Sequence, residues 1–177
     1  MKLIATNFNG LYLIKTSCFS DFRGNFHKLY NKKFLLENNL ISDFVDLNHT
    51  QSLKKGVLRG FHYQIPPFEE VKLVTCLRGK IRDYAIDMRI GSSTYLKHFS
   101  MELNSNDNSV LYIPQGFAHG FIALEDLSEV IYLSSNYYSP DQEKLVNPLD
   151  PSLGIEYQLK PILSDKDKGA GLINLEE

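Results

Sequence analysis

The sequence predicts an all-β fold, most simply a jelly-roll β-barrel. From residue 44 onward, short runs rich in Val, Ile, Leu, Phe and Tyr follow one another, separated by Gly and Asn turn signals at near-regular spacing. Before residue 140 only one stretch reads as helix, and Pro140, Pro148, Pro151 and Pro161 keep the tail from forming a long regular element.

Taken in order, residues 11–15 (Leu-Tyr-Leu-Ile-Lys) form a first strand, and Ser20-Asp21-Phe22-Arg23-Gly24-Asn25 suits a tight reversal. Asn31 caps one short helix over 32–39, with Phe34, Leu35 and Leu36 on its apolar side and Asn38-Asn39 ending it. Strands are predicted at 44–50, 56–64, 71–78, 80–88, 95–103, 109–113, 117–124 and 128–136. Arg78-Gly79-Lys80 is expected to join two of them as a hairpin, and Asn104 to Asn108 is a polar strand connection. The tail after 139 is expected to be irregular, with a helical turn or two, laid over the barrel. No repeat or linker interrupts the chain, so residues 1–177 are expected to be one domain.

Composition narrows the function classes. Apolar residues are 43% and charged residues 23% of the 177, ordinary globular values that argue against disorder. A net charge of −2 leaves no basic footprint for nucleic acid, so a phosphate-bearing ligand would rest on a few focused cations. The longest apolar run falls far short of the roughly 20 residues that cross a bilayer. Cys18 and Cys76 make no CxxC pair and no signal-type segment precedes them, so free thiols in a cytoplasmic protein are expected.

The run Gly56-Val57-Leu58-Arg59-Gly60-Phe61-His62-Tyr63-Gln64 sets charged groups into a strand that otherwise reads as buried, which is costly without a partner or a job. Side-chain alternation puts Lys72, Val74 and Cys76 on one face, as it does Phe117, His119 and Phe121, and Val130, Tyr132 and Ser134. Arg59 and His62 lie three apart and would face opposite ways in a regular strand; a β-bulge at Gly60 turns both toward one cavity. A lone histidine in such a run is usually a satisfied structural residue, Lys72 could lay its stem along apolar surface, and Tyr132 could be a core aromatic. Five polar groups converging from neighbouring strands point instead to a ligand. In that setting Lys72 suits a developing oxyanion and Tyr132 a proton donor. Asp167, if the tail folds back, could meet the far nitrogen of His62 and fix its tautomer.

Pro114-Gln115-Gly116-Phe117-Ala118-His119-Gly120 has the PxGxxH spacing of the second cupin motif. In many cupins that histidine binds metal together with an earlier HxH pair; here the earlier segment is His62-Tyr63-Gln64, so a metal site would need another donor such as Glu69. No metal is expected.

Across residues 20–167 the chain resembles the dTDP-4-dehydrorhamnose 3,5-epimerase family, a metal-free cupin branch. The matching segments are Asp21 to Phe26, Gly56 to Gln64 with Pro66-Pro67, Lys72-Leu73-Val74, Ile86 to Arg89, Ile113 to Phe121, Tyr132 to Pro140, Asp150-Pro151 and Leu163 to Asp167. The resemblance implies that His62 removes the proton α to a keto group with Asp167 orienting it. Lys72 would stabilise the enolate oxygen, and Tyr132 would reprotonate from the opposite face. It implies that Arg59 and Arg23 hold the diphosphate, Arg23 reaching into the neighbouring subunit of a homodimer. Phe26, Lys28, Asp46, Asn48, His119, Tyr138 and Lys166 would line the sugar and nucleotide pocket. No cofactor is implied, and the product would be a surface-polysaccharide precursor. Two positions depart from the family pattern. Lys28 replaces a glutamate and Asp46 a glutamine, and a lysine only donates where a carboxylate only accepts. Asp46 could meet the donor edge of guanine, which admits a GDP-linked 4-keto sugar or heptose beside the dTDP-linked one. A C3- or C5-only epimerase, a non-catalytic sugar-nucleotide-binding barrel and a metal-dependent cupin are the alternatives.

Overall fold

The computed structural model describes residues 1–173. The chain runs through β1 (Lys2–Ala5), β2 (Tyr12–Lys15), β3 (Cys18–Asp21), β4 (Gly24–His27), α1 (Lys32–Glu37), β5 (Asp46–Ser52), β6 (Leu58–Gln64) and β7 (Lys72–Arg78). It continues through β8 (Lys80–Asp87), β9 (His98–Asn104), β10 (Ser109–Ile113), β11 (Phe117–Ala123), β12 (Ser128–Ser134), β13 (Glu143–Leu145), a 3-10 turn at Pro151–Leu153 and α2 (Asp165–Lys168). Two antiparallel sheets face each other, one ordered β1-β2-β10-β7-β12-β5 and the other β13-β6-β11-β8-β9, with β3–β4 as a separate hairpin. This is the expected jelly roll.

Alternation along the strands sorts the apolar side chains into three layers. Val74 and Cys76 of β7, Ile81 and Ala85 of β8, Leu111 of β10, Phe117 and Phe121 of β11 and Val130 of β12 fill the space between the sheets. The outer face of the five-stranded sheet carries Leu58, Phe61, Tyr84, Ile86, Ala118 and Ile122, and the tail covers it with Leu153, Tyr157 and Leu163. The outer face of the six-stranded sheet, with Ile14, Leu73 and Val110, is covered by α1 through Leu35. Full burial of Leu35 contributes about 2 kcal/mol and fastens the helix. Asn31 starts that helix by accepting from the Phe34 amide at 3.2 Å. It stops at Glu37 because Asn38 caps it and Asn39 turns to φ 56°.

Several expected boundaries move, each for a local reason. Arg78-Gly79-Lys80 is not a hairpin: β7 and β8 lie in different sheets, and the segment is the corner that carries the chain between them. Gly79 (φ +71°) is required there, since a Cβ would sit 2.6 Å from Ser128 Oγ. The strand expected from residue 95 starts at His98 because the preceding loop wraps Asp87. That buried carboxylate accepts from Arg89 Nε at 2.8 Å and from Ser92 Oγ and Thr94 Oγ1 at 2.6 Å each. The turn expected at 20–25 is the tip of a full hairpin, and the tail supplies an unexpected strand, β13, on the edge beside β6. Further along, the tail bridges Val57 in parallel through Ile162, with Leu58 N donating to Ile162 O at 3.0 Å.

The β6–β11 pair fixes the site. Its register passes from His62↔His119 to Arg59↔Phe121, so Gly60 and Phe61 together oppose Gly120 alone. That is a β-bulge at Gly60, as the sequence led us to expect. Phe61 points outward into the tail-covered layer, while Arg59 and His62 both turn toward the barrel interior. Gly60 has φ +125°, and a Cβ there would lie 2.6 Å from Gly120 Cα and 2.7 Å from His119 O. No other residue fits.

Candidate active site

The interior of the barrel opens into a cavity of two adjoining lobes, about 300 and 260 Å³. One is lined by Asn48, Arg59, His62, Lys72, His119 and Tyr132; the other shares Asn48, His62, Lys72 and Tyr132 and adds Asp46, Tyr138 and Glu143. His62 comes from the five-stranded sheet, whereas Lys72 and Tyr132 come from the six-stranded one. The imidazole and the phenol therefore approach the cavity from opposite walls.

His62 Nε2 donates to Asp167 Oδ1 at 2.7 Å, leaving Nδ1 as the free lone pair. Asp167 sits on α2, 105 residues away in sequence, and is held by its own helix cap. Ser164 Oγ donates to Asp167 Oδ2 at 2.8 Å and accepts from the Asp167 amide at 3.1 Å. Burial pushes His62 below its ordinary value of 6.5, and the Asp167 and Glu143 carboxylates offset only part of that. The imidazole is accordingly neutral at neutral pH. Burial pushes the Tyr132 phenol above its ordinary 10, so it keeps its proton. A neutral base faces a protonated acid. Lys72 Nζ lies 3.1 Å from Glu70 Oε1, both side chains nearly buried, so the ammonium is neutralised yet still faces the cavity. His119 Nε2 contacts Asp83 Oδ2 at 2.9 Å in the buried floor, and burial pushes the Asp83 carboxyl up. Arg59 Nη2 donates to Gln51 O at 2.9 Å at the rim of the cavity.

A model of the family described as dTDP-4-dehydrorhamnose 3,5-epimerase matches residues 5–174. The chain belongs to this family. Its relatives include a dTDP-4-dehydrorhamnose 3,5-epimerase of Shigella flexneri, 40% identical over 94% of this chain and 93% of that protein. The crystal structure of the Bacillus anthracis dTDP-4-dehydrorhamnose 3,5-epimerase with TDP and PPi bound is 36% identical, covers 97% of this chain and 99% of its own, and superposes with a TM-score of 0.94. A 3'-monoepimerase from Streptomyces bikiniensis in complex with dTDP-quinovose is 33% identical, covers 94% and 85%, and has a TM-score of 0.88. The family is one of epimerases, enzymes of the isomerase class, on cupin-type jelly rolls.

The epimerase fold gathers most of the residues singled out from sequence. Asp46, Asn48, Arg59, His62, Lys72, His119, Tyr132 and Tyr138 line the cavity, Asp167 reaches it through His62, and Lys166 reaches it through Glu143. Arg23, Phe26 and Lys28 are not among them. They sit exposed on or just after the β3–β4 hairpin, where Arg23 pairs with Asp21 at 2.5 Å. Within one chain the hairpin brings none of the three to His62.

Three site carboxylates escaped sequence reasoning. Asp83 shares the inward parity of Ile81 and Ala85, and a carboxylate in that register was a readable signal. Glu70 lies two before Lys72, the same-face spacing of a strand. Glu143 becomes visible only once β13 pairs with β6, placing it opposite Gln64. Gln64 itself is buried and structural: its Nε2 donates to Phe68 O at 2.8 Å and Tyr137 O at 3.1 Å, and its Oε1 accepts from the Ser139 amide at 2.6 Å. The glutamine in place of an HxH histidine thus anchors the loop that carries Tyr138. Among the described residues no group of three or more His, Cys, Asp or Glu side chains is arranged to hold a metal ion, Glu69 included. Nor, among them, does any helix have the length and apolarity to cross a membrane.

Proposed function

We propose that the protein inverts carbon centres flanking the keto group of a dTDP-linked 4-keto-6-deoxy sugar, through an enolate, for surface-polysaccharide precursor synthesis. The observation that carries this reading is the pair of opposed walls: His62 and Tyr132 face one cavity from different sheets, with the Lys72 ammonium beside them. His62 Nδ1, kept free by the Nε2 contact to Asp167, removes the α proton. Lys72 stabilises the oxyanion that forms, and Tyr132 delivers a proton to the far face, inverting the centre. A proton leaves and a proton returns, so the balance contains no redox step. Arg59 holds the diphosphate, while Asn48, His119, Asp46 and Tyr138 line the sugar and base ends. In this reading the chain acts as one catalytic domain.

The reading is tested by NMR in D₂O with dTDP- and GDP-linked 4-keto sugars. Deuterium enters at C3, C5 or both of the dTDP compound. The rate needs neutral His62 and protonated Tyr132, so it stays flat across neutral pH and falls on acidification only below 6.5, where burial has moved the imidazole. No exchange with either compound sinks the reading; exchange with the GDP compound alone moves base recognition to Asp46.

We also propose a homodimer in which the β3–β4 hairpin of one chain completes the site of the other. Phe19, Phe22 and Phe26 are 66%, 98% and 62% exposed on that hairpin, an apolar surface expensive to leave in water. Arg23 and Lys28 stand with them, which accounts for cations that one chain leaves away from its own cavity. Light scattering is expected to give twice the chain mass; a monomer at assay concentration removes Arg23 from the site.

A further inference from the structure

Each inversion leaves two groups in the wrong state. His62 holds the abstracted proton on Nδ1, and Tyr132 has become a phenolate. Before the next abstraction the imidazolium must lose its proton, yet a sugar seated against Nδ1 cuts that nitrogen off from bulk water.

One carboxylate stands beside it. Glu143 Oε1 lies 3.5 Å from His62 Nδ1, and its side chain lines the cavity while keeping 12% of its surface exposed. Its other oxygen, Oε2, accepts from Tyr138 OH at 2.9 Å and from Lys166 Nζ at 2.5 Å, which aims Oε1 at the imidazole. While Nδ1 is a lone pair, Oε1 has nothing to accept from it. Once Nδ1 carries a proton, the pair attracts and a small closing movement makes it a charge-assisted hydrogen bond. Of the other charged groups around His62, Asp167 is committed to Nε2, Lys166 to Glu143, His119 to Asp83, Lys72 to Glu70 and Arg59 to Gln51 O. Asp46 lines the same lobe, but the charges that act on the imidazole are those of Asp167, Glu143 and Lys166.

We propose that Glu143 takes the abstracted proton from His62 and passes it to solvent, resetting the base between successive abstractions; this rests on the epimerase reading above. In the transfer the Nδ1–H bond breaks and an Oε1–H bond forms. The imidazolium becomes neutral as the carboxylate becomes a carboxylic acid. Glu143 then gives that proton to water at the cavity mouth, and the Tyr132 phenolate takes one from water, so the cycle closes with no net change. The carboxylate is the weaker base, so the proton moves on rather than lodging there. Glu143 touches His62 rather than the reacting carbon, and is a positioning and relay residue.

Glu143→Gln is assayed in D₂O by rapid quench with a dTDP-linked 4-keto-6-deoxyhexose. The first exchange per site is expected at the parent rate, followed by a steady state about 100-fold slower. Added formate, a diffusible carboxylate, is expected to restore the steady state. Glu143→Asp, which keeps the carboxylate but retracts it, is expected to show the same burst with a smaller loss, and serves if the glutamine variant fails to fold. A steady state near the parent value overturns the relay, as does a burst that falls in parallel with it, or no response to formate. A burst surviving in His62→Ala instead overturns the assignment of the base, a separate outcome.

Discussion

His62→Ala abolishes deuterium uptake at both carbons next to the ketone, a loss of at least about 10³-fold in the exchange rate. The magnitude follows from the site's inventory. Nδ1 of His62 is the neutral acceptor facing the cavity, whereas Lys72 and Arg59 are cations, Asp83 and Glu70 are already paired, and Glu143 is a weaker base tied to Tyr138 and Lys166. Water in a truncated site would have to replace an oriented imidazole. The substitution also leaves Asp167, 5% exposed, with Ser164 and without its imidazole, which costs about 1–3 kcal/mol in thermal stability. That structural loss is separable. His62→Ala combined with Asp167→Asn removes the stranded charge, and is expected to regain melting temperature while remaining inactive. Exchange that returns with stability would falsify His62 as the base.

Tyr132→Phe splits two quantities that travel together in the parent. The ring still packs against the barrel interior, so the fold is kept and His62 still removes the α proton. The enolate, held beside Lys72, can then be reprotonated only from the face the proton left. Deuterium therefore enters with retention of configuration, while inversion falls by about 10²–10⁴-fold. NMR of the reisolated sugar reads both at once, label by loss of the proton signal and configuration by coupling constants. Equal loss of exchange and inversion would mean that the phenol shapes the cavity rather than delivering the proton.

The sheets were legible because alternation leaves a strong trace: spacing alone groups Lys72-Val74-Cys76 on one face and Phe117-His119-Phe121 on another, and both faces turn out to be the interior. The bulge was legible because Gly60 separates two polar residues at an odd spacing. What stayed hidden depends on pairing rather than pattern. Glu143 is one residue of a three-residue strand and has no periodicity to show its face. The corner at Gly79 resembles a hairpin because both use a glycine with positive φ, and only the sheet to which each arm pairs separates them. Asp83 does carry such a signal, since it shares the inward parity of Ile81 and Ala85.

The tail has a bearing on when activity begins. Both sheets can form from residues up to Leu145, but Ile162 must still close on β6 and α2 must still deliver Asp167 to His62. During translation the barrel therefore precedes its own chemistry: a nascent chain arrested before residue 165 carries the base, the acid and the ammonium without the carboxylate that orients the base. A protease that cuts between 146 and 164 and frees the following segment would likewise take Asp167 from His62, and would bare the outer apolar layer of the five-stranded sheet as well. Turnover reports on the last part of the fold to arrive.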